Sequence, residues 1–159
     1  MVREFKSNDF LEVLSLFYIS VHKIACNDYT QLQLDAWAPE SPDLESWHKR
    51  LSSGNVFVEV DNNQIRGFGR IENTGYIDLL YSHPDFLKQG IGNSILNRMI
   101  IWAFENKIGQ IYSEVSITAR QFFSNNIFFT VKEQLVERRG VTFKNFLMVR
   151  NLANKKNQN

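Results

Sequence analysis

A single cysteine, three prolines and eight glycines punctuate 159 residues. One thiol, Cys26, cannot build an intramolecular disulfide framework, so the fold must rest on its core, and a reducing compartment is the default. Paired cysteines and His-x-x-x-His spacing are both missing, which removes the usual metal-site frameworks. Charge of one sign is missing too. Eighteen Lys and Arg against seventeen Asp and Glu leave a formal +1, which supplies no general drive toward nucleic acid or an acidic membrane. No apolar run approaches the ~18–20 residues of a spanning helix, and Met1-Val2-Arg3-Glu4-Phe5 lacks the charged-then-apolar order of a signal peptide. The expectation is a cytoplasmic protein with no metal, nucleic acid or membrane partner.

Large side chains are abundant. Thirteen Phe, five Tyr and three Trp each bury roughly 150–250 Å², enough for one domain to form a core without a staple. The chain shows no internal repeat and no linker. One domain is therefore expected over 1–150. The Asn-rich segment 151–159, with little apolar content, is expected to be a disordered tail.

Val2–Phe5 reads as a short strand, after which Ser7 or Asn8 can cap a helix carrying Leu11, Leu14, Phe17, Val21 and Ile24 at helical spacing. A second helix over Thr30–Trp37 stops before Ala38-Pro39, and Asp43 can cap a third through Leu51. From Val56 the period becomes that of strands: Val56–Val60, Ile65–Glu72 and Tyr76–Ser82, joined by Asn- and Gly-rich turns. Ile91, Ile95, Leu96, Met99 and Ala103 mark the inner face of a further helix. A strand at Ile111–Ser116, a helix at Ala119–Asn125 and a hairpin of Phe128–Glu137 with Thr142–Arg150 complete the order. The fold class is α/β (α+β), with a mixed, mostly antiparallel sheet of six to seven strands and four to five helices.

The most informative segment runs from Tyr76 to Asn93: a strand, a tight loop and a helix start. Gly90 and Gly92 open the loop's backbone, and the first helical turn offers unpaired N–H groups at the positive end of its dipole, a site suited to phosphate. The dinucleotide fingerprint would need a third glycine at Asn93 or Ile95, and the P-loop a Gly-Lys-Ser/Thr; neither is present.

With His83-Pro84 ending the strand and Leu87-Lys88-Gln89-Gly90-Ile91-Gly92 following it, the chain resembles the Gcn5-related N-acetyltransferase (GNAT) superfamily, whose loop reads (Arg/Gln)-x-x-Gly-x-(Gly/Ala). Ala119-Arg120-Gln121-Phe122-Phe123-Ser124-Asn125-Asn126-Ile127-Phe128 is similar to the family's Ala-x-x-Phe-Tyr-x-x-x-Gly-Phe, and Val141–Arg150 to its last strand. The resemblance implies a splayed sheet, acetyl-coenzyme A (acetyl-CoA) as co-substrate and its pyrophosphate at Leu87, Lys88, Gln89, Gly90, Ile91, Gly92 and Asn93. It also implies main-chain contacts from Leu80, Tyr81 and Ser82, and Phe123 beside the sulfur. Three positions depart from the pattern. Leu87 replaces Arg or Gln, Ile127 replaces a glycine, and Phe123 replaces a tyrosine that protonates the departing thiolate in many members. A thiol pKa near ~8.5 makes coenzyme A an acceptable leaving group even without that acid.

Transfer to an amine needs a proton acceptor, because an alkyl ammonium has a pKa near ~10.4. In the family a carboxylate on the strand before the loop often serves, and here Asp78 occupies that strand. Period-two alternation puts it on a face with Tyr76 and Leu80. An acid between Ile77 and Leu79 is costly to bury unpaired, so the alternatives are a catalytic base, a solvent-facing residue of a half-exposed strand and a partner for an arginine such as Arg70. Glu72 is the second candidate base. Tyr18, Tyr29, Trp37 and Trp47 are candidates for the acceptor wall, and Arg138-Arg139 reads as a solvated hairpin turn, the alternative being a place near bound substrate. His83 reads as a loop residue, His22 and His48 as helix residues without ligand-spaced partners, and Cys26 as a partly buried, inert thiol. The expected activity is direct acetyl transfer to a small-molecule amine or a peptide in a ternary complex, and a homodimer is compatible with the sequence. The alternatives are a degenerate, non-catalytic acyl-CoA-binding module and an interaction domain without a cofactor.

Overall fold

The computed structural model describes residues 1–152. In chain order the elements are β1 (Val2–Glu4), α1 (Phe10–Ile24), α2 (Gln31–Trp37), α3 (Leu44–Ser52), β2 (Asn55–Asp61), β3 (Gln64–Ile71), β4 (Ile77–Ser82), α4 (Ile91–Glu105), β5 (Gln110–Ser116), α5 (Arg120–Asn125), β6 (Phe129–Arg138) and β7 (Val141–Asn151). Seven strands form two antiparallel sheets, ordered β1-β2-β3-β4 and β5-β7-β6. They meet through one parallel bridge between Tyr76 and Tyr112, where the Tyr112 N–H donates to Gly75 O at 3.0 Å. One residue further, the Ser113 hydroxyl donates to Ile77 O at 2.6 Å. Beyond this junction β4 and β5 have no ladder partner in each other, and the two sheets splay.

Each face has its own core. Helices α1, α2 and α3 pack Phe10, Val13, Leu16, Phe17, Val21, Leu34, Trp47 and Leu51 against Val58, Phe68 and Leu79. On the other face, Ile91, Ile95, Leu96, Met99 and Ala103 of α4 meet Phe57, Ile71, Ile77 and Ile111. Helix α4 comes close because β3 presents glycines to it. A Cβ at Gly67 would stand 2.5 Å from Ile91 Cγ2, and one at Gly69 2.8 Å from Ile95 Cγ2.

Two expectations on the first half change. Neither Ser7 nor Asn8 caps α1; instead Asp9 accepts from the Lys6 N–H and from both terminal nitrogens of Arg3 at 2.7, 2.7 and 2.9 Å. Those Arg3 hydrogen bonds hold the Asp9 carboxyl below its usual range. Strand β4 also breaks simple alternation. Arg70 pairs with Leu79 but Ile71 with Ile77, so Asp78 is the extra residue of a bulge. It turns toward Arg70 on the α1–α3 side, whereas Ile77 and Leu80 pack on the α4 side. The expected shared face with Leu80 is therefore corrected.

At the C-terminus, β7 runs through Asn151 and Leu152 is buried with the α4-side core, its N–H donating to Gly109 O at 2.9 Å. Asn151 and Leu152 thus belong to the fold rather than to the tail expected from 151, and the rest of that expectation, residues 153–159, lies outside the described residues.

Candidate active site

The splay opens a cleft of about 580 Å³ between β4 and β5, roofed by α2, α3 and the β6–β7 hairpin. Its floor follows from strand alternation. The His83 N–H donates to Arg66 O at 2.8 Å, so residues 83, 81 and 79 spend their main-chain groups on β3. Leu80 and Ser82 consequently turn their N–H groups toward the gap. The expectation of a main-chain contact at Tyr81 is corrected: its amide belongs to the β3 ladder, and only its side chain reaches the cleft.

At the mouth of the split stands the N-terminus of α4. Its first helical bond runs from Ser94 N–H to Gly90 O, which leaves the N–H groups of Ile91, Gly92 and Asn93 without intrahelical acceptors. Lys88 and Gly90 are left-handed, with φ of 62° and 78°, and a Cβ at Gly90 would meet nothing, so its backbone alone demands glycine. Gly92 has a different reason. A Cβ there would stand 3.1 Å from the Phe122 ring of α5, so this glycine serves helix packing rather than an open approach. The Asn126 side-chain amide donates to Asn93 Oδ1 at 3.0 Å and ties the loop to α5. The arrangement gives three free donors at the positive end of a fifteen-residue helix, an anion site by geometry.

Of the residues expected at the cofactor, Leu80, Tyr81, Ser82, Leu87 and Phe123 line the cleft. Lys88, Gln89, Gly90 and Asn93 sit exposed at its rim, and the Ile91 side chain is core, leaving its main chain alone to contact a ligand. The Phe123 ring is 4% exposed and packs edge-on against Phe122 and Phe128. Ile127 adopts φ of 66°, so the turn after α5 keeps a glycine-type backbone although no glycine is there.

Asp78 lies in the cleft. Its Oδ2 accepts from Arg50 Nε at 2.9 Å and lies 2.9 Å from Arg70 Nη1, while Oδ1 is buried without any hydrogen-bond partner. Arg50 is itself stacked over the Trp47 ring at 5.1 Å. The arginine pairing is thus real, and one carboxylate oxygen remains free. Glu72, the second candidate base, is not in the cleft; it pairs with Arg70 at 2.9 Å.

Tyr29, Trp37 and Trp47 form part of the wall as expected, whereas Tyr18 does not. The Trp37 indole N–H donates to the Tyr81 hydroxyl at 3.2 Å, and burial raises the Tyr81 phenol above its usual range. Burial, helped by Glu114 and Asp78, pushes Tyr76 up to about 12, so both phenols stay neutral near pH 7. His83 accepts from the Asp85 N–H at 3.2 Å outside the cleft, and His22 bonds Ala38 O at 2.8 Å. Cys26 is exposed rather than partly buried, and it too is outside the cleft.

Sequence reasoning missed Glu114 and Asn145, and it placed Arg138 in a hairpin turn, with a place near bound substrate as the alternative, without assigning it a role. Glu114 and Arg138 line the cleft with no ion pair among the described residues, and Asn145, 6% exposed, leaves its Oδ1 unpartnered. Only the outward phase of β5 and the last residue before the Arg139-Gly140 turn were readable signals, and neither says what the face meets.

A sheet split by a single bridge, with free amides along one edge and a helix N-terminus at its mouth, defines an acyltransferase of the GNAT type. The acetyltransferase (GNAT) domain model matches residues 25–149, and the chain belongs to that family. It is 34% identical over 148 residues to the uncharacterized N-acetyltransferase YafP of Escherichia coli (strain K12), covering 92% of this chain and 93% of that protein. Its fold is similar to that of a GCN5-related N-acetyltransferase from Rhodopseudomonas palustris, with a TM-score of 0.92, 22% identity and coverage of 96% and 95%. It is also similar to yncA of Salmonella typhimurium, solved with acetyl-CoA, with a TM-score of 0.72, 14% identity and coverage of 100% and 97%.

Proposed function

We propose that the protein transfers acetyl from acetyl-CoA directly to a primary amine within this cleft. The observation that carries the reading is the open edge of β4, where Leu80 and Ser82 N–H groups face the gap beside the unpaired amides of Ile91, Gly92 and Asn93. The helix terminus suits the pyrophosphate, and the edge amides suit the pantetheine carbonyls and the thioester oxygen. The chemistry is an N–C bond formed as the C–S bond breaks, with coenzyme A leaving as the thiolate. The amine's proton goes to Asp78, directly or through water, at the free Oδ1. Arg50 and Arg70 fix the carboxylate's orientation through the other oxygen. Phe123 supplies no proton, so the thiolate leaves unassisted.

Two measurements test this. Acetyl-CoA should raise the melting temperature, by mass action on the folded state. Free thiol should be released in the presence of a panel of amines, and Asp78→Asn should lower kcat by about 10²–10⁴-fold, the contribution of a general base, with the acetyl-CoA thermal shift retained. Binding of acetyl-CoA without thiol release from any amine would instead favour a non-catalytic module.

A further inference from the structure

Resting on that transferase reading, the unpaired groups of the cleft define what the acceptor must carry. Five charged side chains line it: Arg50, Arg138, Arg139, Asp78 and Glu114. Arg50 is used by Asp78. Arg139 Nη1 donates to Ala36 O at 2.6 Å, which fastens the hairpin tip to α2. Arg138 is the cation left over, without an ion pair among the described residues.

Arg138 is also well placed to recognise something. It is the last residue of β6, opposite Val141, and shares its phase with Val136, which lines the same cleft. The tip that carries it is held on both sides of the turn. Besides Arg139, Gln33 Nε2 donates to Thr142 O at 3.0 Å and the Tyr29 hydroxyl to Lys144 O at 2.8 Å. The pinned backbone fixes where the exposed, unpaired Arg138 side chain starts, and its guanidinium fork matches a carboxylate. Its charge is felt by the hydroxyls of Tyr29, Tyr76 and Tyr81, all cleft residues, and the last two also feel Asp78.

The buried side-chain atoms of the cleft left unpartnered are acceptors. Asp78 Oδ1 and Asn145 Oδ1 are both buried and unbonded, and both residues line the cleft. A buried acceptor left open is destabilising, and a donor from the ligand removes that cost. A primary amine supplies such N–H donors. Glu114, unpaired on β5, repels an anion from that side and leaves the hairpin tip as its place.

We propose that the acceptor is an amine that also bears a carboxylate, an amino acid or close analogue, whose carboxylate is bound by Arg138 while its nitrogen lies between Asp78 and Asn145. Trp37, Tyr29 and Phe143 give it an aromatic wall. Arg138 is thereby a specificity-determining residue.

The test compares aromatic and aliphatic amino acids with their own carboxamides, by thiol release under saturating acetyl-CoA. The carboxamide's amine is the less basic of each pair, so chemistry alone favours it, and a preference for the carboxylate must come from binding. The expected ratio of kcat/KM is roughly ten- to hundredfold in favour of the carboxylate, the factor one charge-assisted hydrogen bond carries. Arg138→Gln should bring the ratio to one or below, chiefly through KM, and Arg138→Lys should restore part of it. Because both substrates are measured on the same variant, a loss of folded protein scales them equally. A ratio near one in the wild type, or one unaltered in Arg138→Gln, overturns this inference and leaves the transferase standing. No thiol release from any amine, with acetyl-CoA still bound, overturns the transferase and the inference with it.

Discussion

Ile127 holds φ at 66°, a conformation that costs an L-residue about 1–2 kcal/mol and a β-branched one no less. It gains little in return, since its side chain is 72% exposed. The geometry is fixed from both sides: the Ile127 N–H donates to Ser124 O at 3.2 Å and the Phe128 N–H to Phe123 O at 3.1 Å. Glycine takes this conformation freely but loses about 0.5–1 kcal/mol of backbone entropy on folding. Ile127→Gly should therefore raise stability by about 1 kcal/mol, read as a higher urea midpoint with an unchanged slope. A lower midpoint would mean that the Ile127 side chain contributes more than its exposure implies. The same residue shows a limit of reading residues singly. The sequence displays an isoleucine where the family pattern has glycine, which suggests a different turn, yet the backbone requirement survives because Phe123 and Phe128 must still meet edge-on at 4.9 Å.

At the scale of elements, most of the fold was legible. The helical face of α4 follows from spacing because it buries one side against a core, and β2 to β4 were readable as strands although their sheet is buried on both faces. What was not legible depends on pairing between elements. The β4 bulge exists because β3 and β4 slip by one residue at Arg70–Ile71, and nothing local to Tyr76–Ser82 announces it. That slip decides which way Asp78 points. The candidate base and its pairing with Arg70 of β3 were readable, whereas the second arginine, Arg50, comes to it from α3 and was not. Arg138 was readable as a turn residue with a place near substrate as the alternative, and the hairpin that closes over the cleft decides between them. One element contact makes a sharp prediction: Gly67 lets α4 lie on β3, and a Cβ there would meet Ile91 Cγ2 at 2.5 Å and Tyr81 O at 3.0 Å. Gly67→Ala should cost about 1–3 kcal/mol, the usual penalty of overpacking. Ile91 is the first residue of α4, so the shift should also weaken acetyl-CoA binding, seen as a smaller thermal shift at fixed ligand concentration. An unaltered melting temperature would show that α4 is free to slide.

For the molecule as a whole, two sheets with separate cores are joined at one end only, so the width of the split is set by few bonds. The Tyr76–Tyr112 bridge supplies one main-chain hydrogen bond, and the Ser113 hydroxyl supplies another to Ile77 O. Ser113 is 6% exposed, so water cannot easily replace it, and Ser113→Ala leaves a buried carbonyl unpaired at a cost of about 1–3 kcal/mol. For a chain of this size that corresponds to a fall in melting temperature of about 2–4 °C per kcal/mol. The functional consequence separates this junction from an ordinary buried bond. If the split is the acetyl-CoA channel, loosening its closed end lets Leu80 and Ser82 drift from Ile91–Asn93, and the KM for acetyl-CoA should rise several-fold. Loss at a site that only stabilises the fold would lower the melting temperature and leave KM unchanged in the protein that remains folded. A variant with reduced melting temperature and wild-type KM would therefore place the ligand's support elsewhere than in the width of the gap.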